Sequence, residues 1–397
     1  MDKVRLGIIG VGGMGSSHAR QILDGKIPRM ELVAVCDVDP TKFKQFKDYK
    51  GIKTYTKSEE LIRSGKVDAV LIATPHYFHT TIGIDALNNN IHTLVEKPIS
   101  VTKADALKLI AAYQKAKKKN PDLKFSAMFN QRTDPYYIKM HDLIQKGELG
   151  TIRRSNWIIT NWFRTEAYYR SGGWRATWAG EGGGVLVNQC PHNIDLYQWL
   201  CGVPCAITAI GGLGKYHDIE VEDECCALFE YENGATGAFI TTTGEAPGTN
   251  RLEICGDMGK LVLDIGVNGR KLEFIRNEVN AQEFIKHNDG RFSVPQTWTV
   301  TFPSVQGNGE QHIGIKKNFT NAILDGVELI APAEEGIKAV EMANAMQYSL
   351  MTHQRVELPM DPKVYAAYLK KLIANSKFVK KTDKNASDDL NGSFNNK

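Results

Sequence analysis

Val4-Arg5-Leu6-Gly7-Ile8-Ile9-Gly10-Val11-Gly12-Gly13-Met14-Gly15 decides the fold. An apolar run ends in a glycine-rich turn that fits G-x-G-x-x-G, and residues 14–25 continue with helical spacing. Strand, tight turn and helix N-terminus in this order make a cradle for a pyrophosphate. Gly10 permits the turn, Gly12 lets the backbone approach phosphate, and Gly15 lets helix and strand pack closely. In a chain with 36 glycines the motif alone says little, but its place at the end of a strand gives it meaning. A second strand ends at Cys36-Asp37, 22 residues beyond Gly15. A carboxylate there accepts hydrogen bonds from the adenosine ribose and repels a 2′-phosphate. Val38-Asp39-Pro40-Thr41 brings no arginine, so the expected cofactor is NAD rather than NADP. Gly10, Val11, Gly12, Gly13, Met14, Asp37 and Val38 are expected around it.

Outward from this turn, apolar runs at 4–10, 31–37, 67–74 and 91–97 alternate with amphipathic stretches at 14–25, 57–65, 80–89 and 102–117. That alternation predicts an α/β Rossmann fold, a doubly wound parallel sheet. Residues 124–130 add a strand and 135–150 a helix. Past residue 150 strands follow one another without helices, at 152–163, 205–213, 223–232, 235–243, 250–256 and 260–265. Asn233-Gly234 inside this run is a strong hairpin signal. A C-terminal α+β domain with a large open antiparallel sheet is expected, with helices at 312–325 and 334–350. The division is an NAD-binding domain over 1–125, a substrate and oligomerisation domain over 126–375, and a polar tail over 376–397 read as disordered.

Composition excludes several classes. A net charge of +4 over 397 residues is too slight for a nucleic-acid footprint. No window approaches 18 consecutive apolar residues, so no membrane partner is expected, and the N-terminus lacks a signal-peptide pattern. The seven cysteines are odd in number and form no C-x-x-C, which reads as small buried residues in the cytoplasm and no metal site.

Three more motifs follow in order: Ala73-Thr74-Pro75-His76 with His79, then Glu96-Lys97-Pro98, then Gly182-Gly183-Gly184-Val185-Leu186-Val187-Asn188-Gln189-Cys190-Pro191-His192-Asn193-Ile194-Asp195 opening a helix. Together with the glycine turn they resemble the family of glucose–fructose oxidoreductase, inositol dehydrogenase and MocA-like proteins, over roughly residues 3–360. The resemblance implies that Ala73, Thr74, Pro75, His76, His79 and Glu96 border the cofactor, with Asn130 near the nicotinamide. It implies that Lys97 touches the reacting hydroxyl, that His192 is the acid/base catalyst, and that Asp195 orients nearby groups. Asn188 stands where relatives often carry aspartate and Cys190 where they often carry glycine; asparagine cannot take a proton at neutral pH. The residue chemistry agrees. A histidine suits general-base work near neutrality, and an ammonium stabilises a developing alkoxide.

Four of the six tryptophans, Trp157, Trp162, Trp174 and Trp178, crowd just ahead of that helix with Phe163, Tyr168 and Tyr169. Flat aromatic walls suit the apolar face of a pyranose or an aglycone. Trp174 and Arg175 are assigned to the cofactor. Asn161, Trp162, Arg164, Tyr168, Trp178 and Asn188 are assigned to the substrate beside Lys97 and His192. The composite W-R-x-x-W-x-G-x-G-G-G…N-Q-C-P-H resembles relatives that oxidise sugars or glycosides, some at C3 of a glucosyl group. The expected enzyme is an NAD-dependent sugar or glycoside dehydrogenase. Its alternatives are an inositol or polyol dehydrogenase, a glycoside hydrolase working by oxidation and elimination, and a non-catalytic NAD sensor. The open sheet over 205–265 leaves a face to cover, which predicts a homo-oligomer.

Overall fold

A computed structural model describes residues 2–266, 269–303 and 307–383. Its first unit alternates as expected: β1 (Val4–Ile9), α1 (Gly13–Leu23), β2 (Met30–Cys36), β3 (Lys53–Tyr55), α2 (Ser58–Ile62), β4 (Ala69–Ile72), α3 (His76–Asn88), β5 (His92–Val95), α4 (Lys103–Lys117) and β6 (Phe125–Ala127). The six strands form one parallel sheet in the order β3-β2-β1-β4-β5-β6. β1, β4 and β5 are buried nearly throughout because helices cover both faces, which is why these strands read as unbroken apolar runs. β6 lies in this sheet, so the first unit runs past residue 125.

The second unit comprises α5 (Pro135–Gln145), β7 (Ile152–Ile159), α6 (Glu166–Arg170), α7 (Pro191–Cys201), β8 (Ala206–Leu213), β9 (Glu222–Glu230), β10 (Thr236–Thr242), β11 (Asn250–Gly256), β12 (Gly259–Gly266), β13 (Gly269–Asn277), α8 (Ala281–His287) and β14 (Thr297–Thr301). α9 (Gln311–Asp325), α10 (Gly336–Thr352), β15 (Val356–Glu357) and α11 (Pro362–Asn375) complete the chain. Nine strands make one sheet, β14-β13-β12-β11-β7-β10-β9-β8-β15. The sheet is mixed rather than wholly antiparallel. β7 leaves through α6 and α7 before the hairpins form, and it inserts between β11 and β10, pairing with β10 in parallel.

The hairpin at Asn233-Gly234 joins β9 to β10, closed by the Tyr231 amide on the Ala235 carbonyl at 3.0 Å. One sheet face carries Trp157, Phe239, Ala227 and Ala209 into a core shared with α7 and α10. β13, β14 and α11 lie outside the expected elements; β14 alternates Trp298 and Val300 with threonines and is exposed along its whole length.

Residues 311–340 return to the first unit. Ile315, Phe319, Ala331, Ala333 and Val340 pack in the same core as β1 and β4. The expected tail begins with ordered contacts. Asp383 pairs with Arg170 at 3.0 Å and Lys381 with Asp218 at 2.7 Å, while residues 384–397 of that tail lie outside the described residues. Among the described residues no helix is long and apolar enough to cross a membrane.

Candidate active site

β1 delivers the chain to Gly10, whose φ of +87° only glycine adopts freely. A Cβ on Gly15 would sit 1.8 Å from the Gly10 carbonyl oxygen, so any side chain there would force α1 off the turn. Nothing lies within 4 Å of a Cβ placed on Gly12, which leaves open room above the turn. α1 begins with Gly13 and Met14 and has no side-chain cap, so its first amides are available to an anion. Asp37 follows β2 and faces this turn: one carboxylate oxygen accepts from the Val11 amide at 2.9 Å, the other from the Asp39 amide at 3.0 Å. Val38, beside it, is 88% exposed. The open room, the uncapped helix and the carboxylate fit a dinucleotide.

The loop after β4 forms the neighbouring wall. The Ala73 carbonyl closes on Gly10, and the Thr74 hydroxyl is buried with no partner. Pro75 caps α3, which starts with His76 and carries His79 on its first turn. His79 places Nδ1 2.7 Å from the Pro98 carbonyl and Nε2 2.8 Å from the Thr74 carbonyl, bracing two loops. The His76 Nδ1 lies 3.1 Å from the Glu181 carbonyl, and its ring meets Trp174 edge-on at 5.7 Å. His76 fastens the cofactor wall to the segment ahead of α7, and His79 ties that wall to the loop after β5.

Glu96-Lys97-Pro98 follows β5 directly. One Glu96 oxygen lies 2.8 Å from Nε2 of the buried His18, and the other accepts from the Lys97 amide at 3.1 Å. The Lys97 ammonium donates to the Asn188 carbonyl at 2.7 Å. Burial pulls Lys97 below its ordinary value, against the pull of the Glu96 and Glu181 carboxylates. His192, the second residue of α7, is 7% exposed, and its Nδ1 has no partner. Burial first, then the Lys97 ammonium with His312 behind it, push it well below the usual histidine range, so it stands as the neutral imidazole. A neutral imidazole and an ammonium at one buried place can accept a proton and hold a developing oxyanion.

Asp195 does not face this pair. It grips Arg132 with both oxygens, at 2.7 and 2.8 Å, and both side chains are 1% exposed. Arg132 belongs to the short turn Asn130–Thr133 and also meets Glu335 at 2.6 Å. Asn130 donates to Gln311 at 2.5 Å and keeps a buried, unpartnered oxygen.

The aromatic segment centres on Tyr168. The Arg175 guanidinium lies over the Tyr168 ring at 4.5 Å and the Trp174 ring at 4.7 Å, and donates to the Tyr168 hydroxyl at 2.8 Å. Arg164 lies over Tyr168 at 5.0 Å and Trp162 at 5.4 Å. The Trp162 indole donates to Asn193 at 3.4 Å, and the Asn161 side-chain oxygen is buried without a partner. Trp178, expected on the substrate wall, is instead 4% exposed and packed in the hydrophobic core, as is Trp157.

Glu181, 1% exposed, is a site residue that sequence reasoning missed. It receives the Asn188 side-chain amide on one oxygen and the Ala176 amide on the other at 2.5 Å. Its signal was one carboxylate directly before the triple glycine. His18 and Lys316 were missed too. Lys316 is fully buried, pushed down to about 7 by burial, and donates to Gln21 at 2.7 Å.

Residues 4–120 match the oxidoreductase family with NAD-binding Rossmann fold, and residues 137–262 the GFO/IDH/MocA C-terminal domain. The chain is 29% identical to a 1-carboxy-3-chloro-3,4-dihydroxycyclohexa-1,5-diene dehydrogenase of Comamonas testosteroni, over 61% of this chain and 58% of that one. It is 27% identical to an inositol 2-dehydrogenase of Rubrobacter xylanophilus, over 50% of this chain and 52% of that one. The match thus spans little more than half the length of these two curated relatives. The WlbA dehydrogenase of Bordetella pertussis, solved with NADH and UDP-GlcNAcA, shares the fold with a TM-score of 0.75 at 22% identity, over 91% of this chain and 99% of that one.

Proposed function

The chain belongs to the Gfo/Idh/MocA oxidoreductases, with both family domains matched over more than half its length, and on that premise we propose that it is an NAD-dependent dehydrogenase of a sugar or glycoside hydroxyl. One observation carries the reading. Lys97, just after β5, reaches the Asn188 carbonyl four residues before a buried, neutral His192. Bound NAD supplies the two-electron acceptor. His192 takes the hydroxyl proton, and the Lys97 ammonium, with two donors left over, holds the oxygen as its charge develops. Burial limits the access of water to His192. Asp37 supports NAD over NADP, because a 2′-phosphate beside its carboxylate would meet like charge.

The finer reading is oxidation at C3 of a glucosyl group. Trp162 and Tyr168, held beside Arg164, support a flat sugar or aglycone face. A polyol is the second reading, favoured by the inositol dehydrogenase relative. Incubation of the protein and NAD with a panel of glycosides and inositols, followed by mass spectrometry, tests both. A glycoside product lighter by two hydrogens, with its fragmentation placing the ketone at C3, is the expected outcome. Oxidation of inositol alone overturns it.

A homo-oligomer of at least two chains accords with the outer face of the large sheet. Ile158, Ile240, Cys226 and Ile210 lie in register across β7, β10, β9 and β8, with Leu228 on the same face. Ile210 and Leu228 are 62% and 58% exposed, an apolar band of the kind that associates. Light scattering at micromolar concentration is expected to give a multiple of 44.2 kDa, and a single-chain mass refutes the association. A cytoplasmic site accords with cysteines that stay unpaired.

A further inference from the structure

We propose that Glu181 is a positioning residue of the reaction: its buried carboxylate fixes the Asn188 segment that anchors Lys97 and supplies the negative charge facing the Lys97 ammonium. Three bonds build the arrangement. Glu181 accepts the Asn188 side-chain amide on one oxygen and the Ala176 amide on the other, and the Asn188 carbonyl accepts from Lys97 at 2.7 Å. Ala176 is a non-glycine residue at φ +53°, a costly conformation that its bond to Glu181 helps to hold. Both carboxylate oxygens act only as acceptors here, which favours the ionised form. Burial pushes Glu181 up, and Arg175, the Ala176 amide, Lys97 and the Asn188 amide draw it back.

The charged and titratable groups around Lys97 come from every neighbouring element. Glu96 stands just after β5, Glu181 and Arg175 ahead of α7, Cys190 and His192 at its start, His76 and His79 on the first turn of α3, and His312 on the first turn of α9. Burial holds the Cys190 thiol up at about 12, so it is uncharged near neutrality. Among the described residues two carboxylates draw on Lys97, Glu96 and Glu181, and Glu96 is shared with His18 and Lys316. Asn188 itself is neutral. The charge on that side of Lys97 therefore comes from Glu181, seven residues earlier.

This role rests on Lys97 as the group at the reacting oxygen, whereas its test needs no substrate and is decided separately from that reading. The full chain is trace-labelled with acetic anhydride between pH 6 and 11. Lys97 labelling is read by peptide mass spectrometry against the exposed Lys66. Glu181→Gln is expected to lower the pH midpoint of Lys97 labelling by about one unit, as loss of a nearby opposite charge does. Glu181→Gln combined with Asn188→Asp, which moves the carboxylate across the same hydrogen bond, is expected to restore it. An unchanged midpoint in Glu181→Gln overturns the proposal. If that variant lacks the native circular dichroism, Asn188→Ala replaces it, since it removes the amide and keeps the charge. The midpoint then stays at the wild-type value, and a fall of a unit overturns the proposal.

Discussion

His192→Ala is expected to slow the redox step by about 10²–10⁴-fold. The measurement is the single-turnover change in nicotinamide absorbance with the substrate that the product screen identifies. NADH affinity is expected to hold, because the glycine turn and Asp37 bind the cofactor without His192. Unchanged turnover removes His192 from the proton-transfer role. Its pH behaviour follows from its surroundings. The start of α7 disfavours a cation, and burial, Lys97 and His312 act in the same direction. The imidazole is therefore free base across the neutral range. Its acid limb in kcat/KM lies below the ordinary histidine range, so activity persists as pH falls through ~6.5 and declines only further down. Folding follows the same sign. A histidine kept neutral when folded but protonated when unfolded withdraws stability as pH drops below the unfolded value of ~6.5.

Arg132→Ala is expected to cost about 3–5 kcal/mol of stability, read as a shift of the urea midpoint. The guanidinium satisfies both oxygens of Asp195, and both groups are 1% exposed, so deleting one strands a buried charge. Asp195→Asn is expected to cost less, since Arg132 keeps Glu335 and an amide oxygen still accepts one bond. Equal midpoints for Arg132→Ala and wild type mean that water reaches Asp195. Because the pair ties α7 to the turn carrying Asn130, its loss is also expected to loosen His192.

Legibility differed by kind of signal. The parallel sheet was readable because β1, β4 and β5 are buried on both faces, which leaves almost no polar interruption. Lys97 and His192 were readable only through the order of their motifs, since neither is unusual alone. Trp162 and Trp178 could not be told apart in the sequence. Both lie in one aromatic stretch, and which of them faces the core depends on how a loop is folded back. Asp195 follows His192 by three residues, one helical turn, yet its partner comes from Arg132, 63 residues earlier. The parallel β7–β10 pair was hidden for a similar reason: nothing local records that a strand will be inserted later between two hairpins. Glu181 is a lone acid among glycines, and only its buried bonds distinguish it.

The return of α9 to the first unit bears on how this molecule was assembled. Ile315 and Phe319 close the core beneath β1, Arg29 holds Asp325 at 2.8 Å, and Lys103 at the start of α4 meets Glu341 of α10 at 2.6 Å. A chain cut after β6 would lay bare the apolar surface that these late helices cover. The nucleotide layer is therefore not a portable cassette with a second unit appended. Its last structural layer is contributed by sequence that lies beyond the large sheet, so swapping that sheet for another means re-fitting the cofactor layer too.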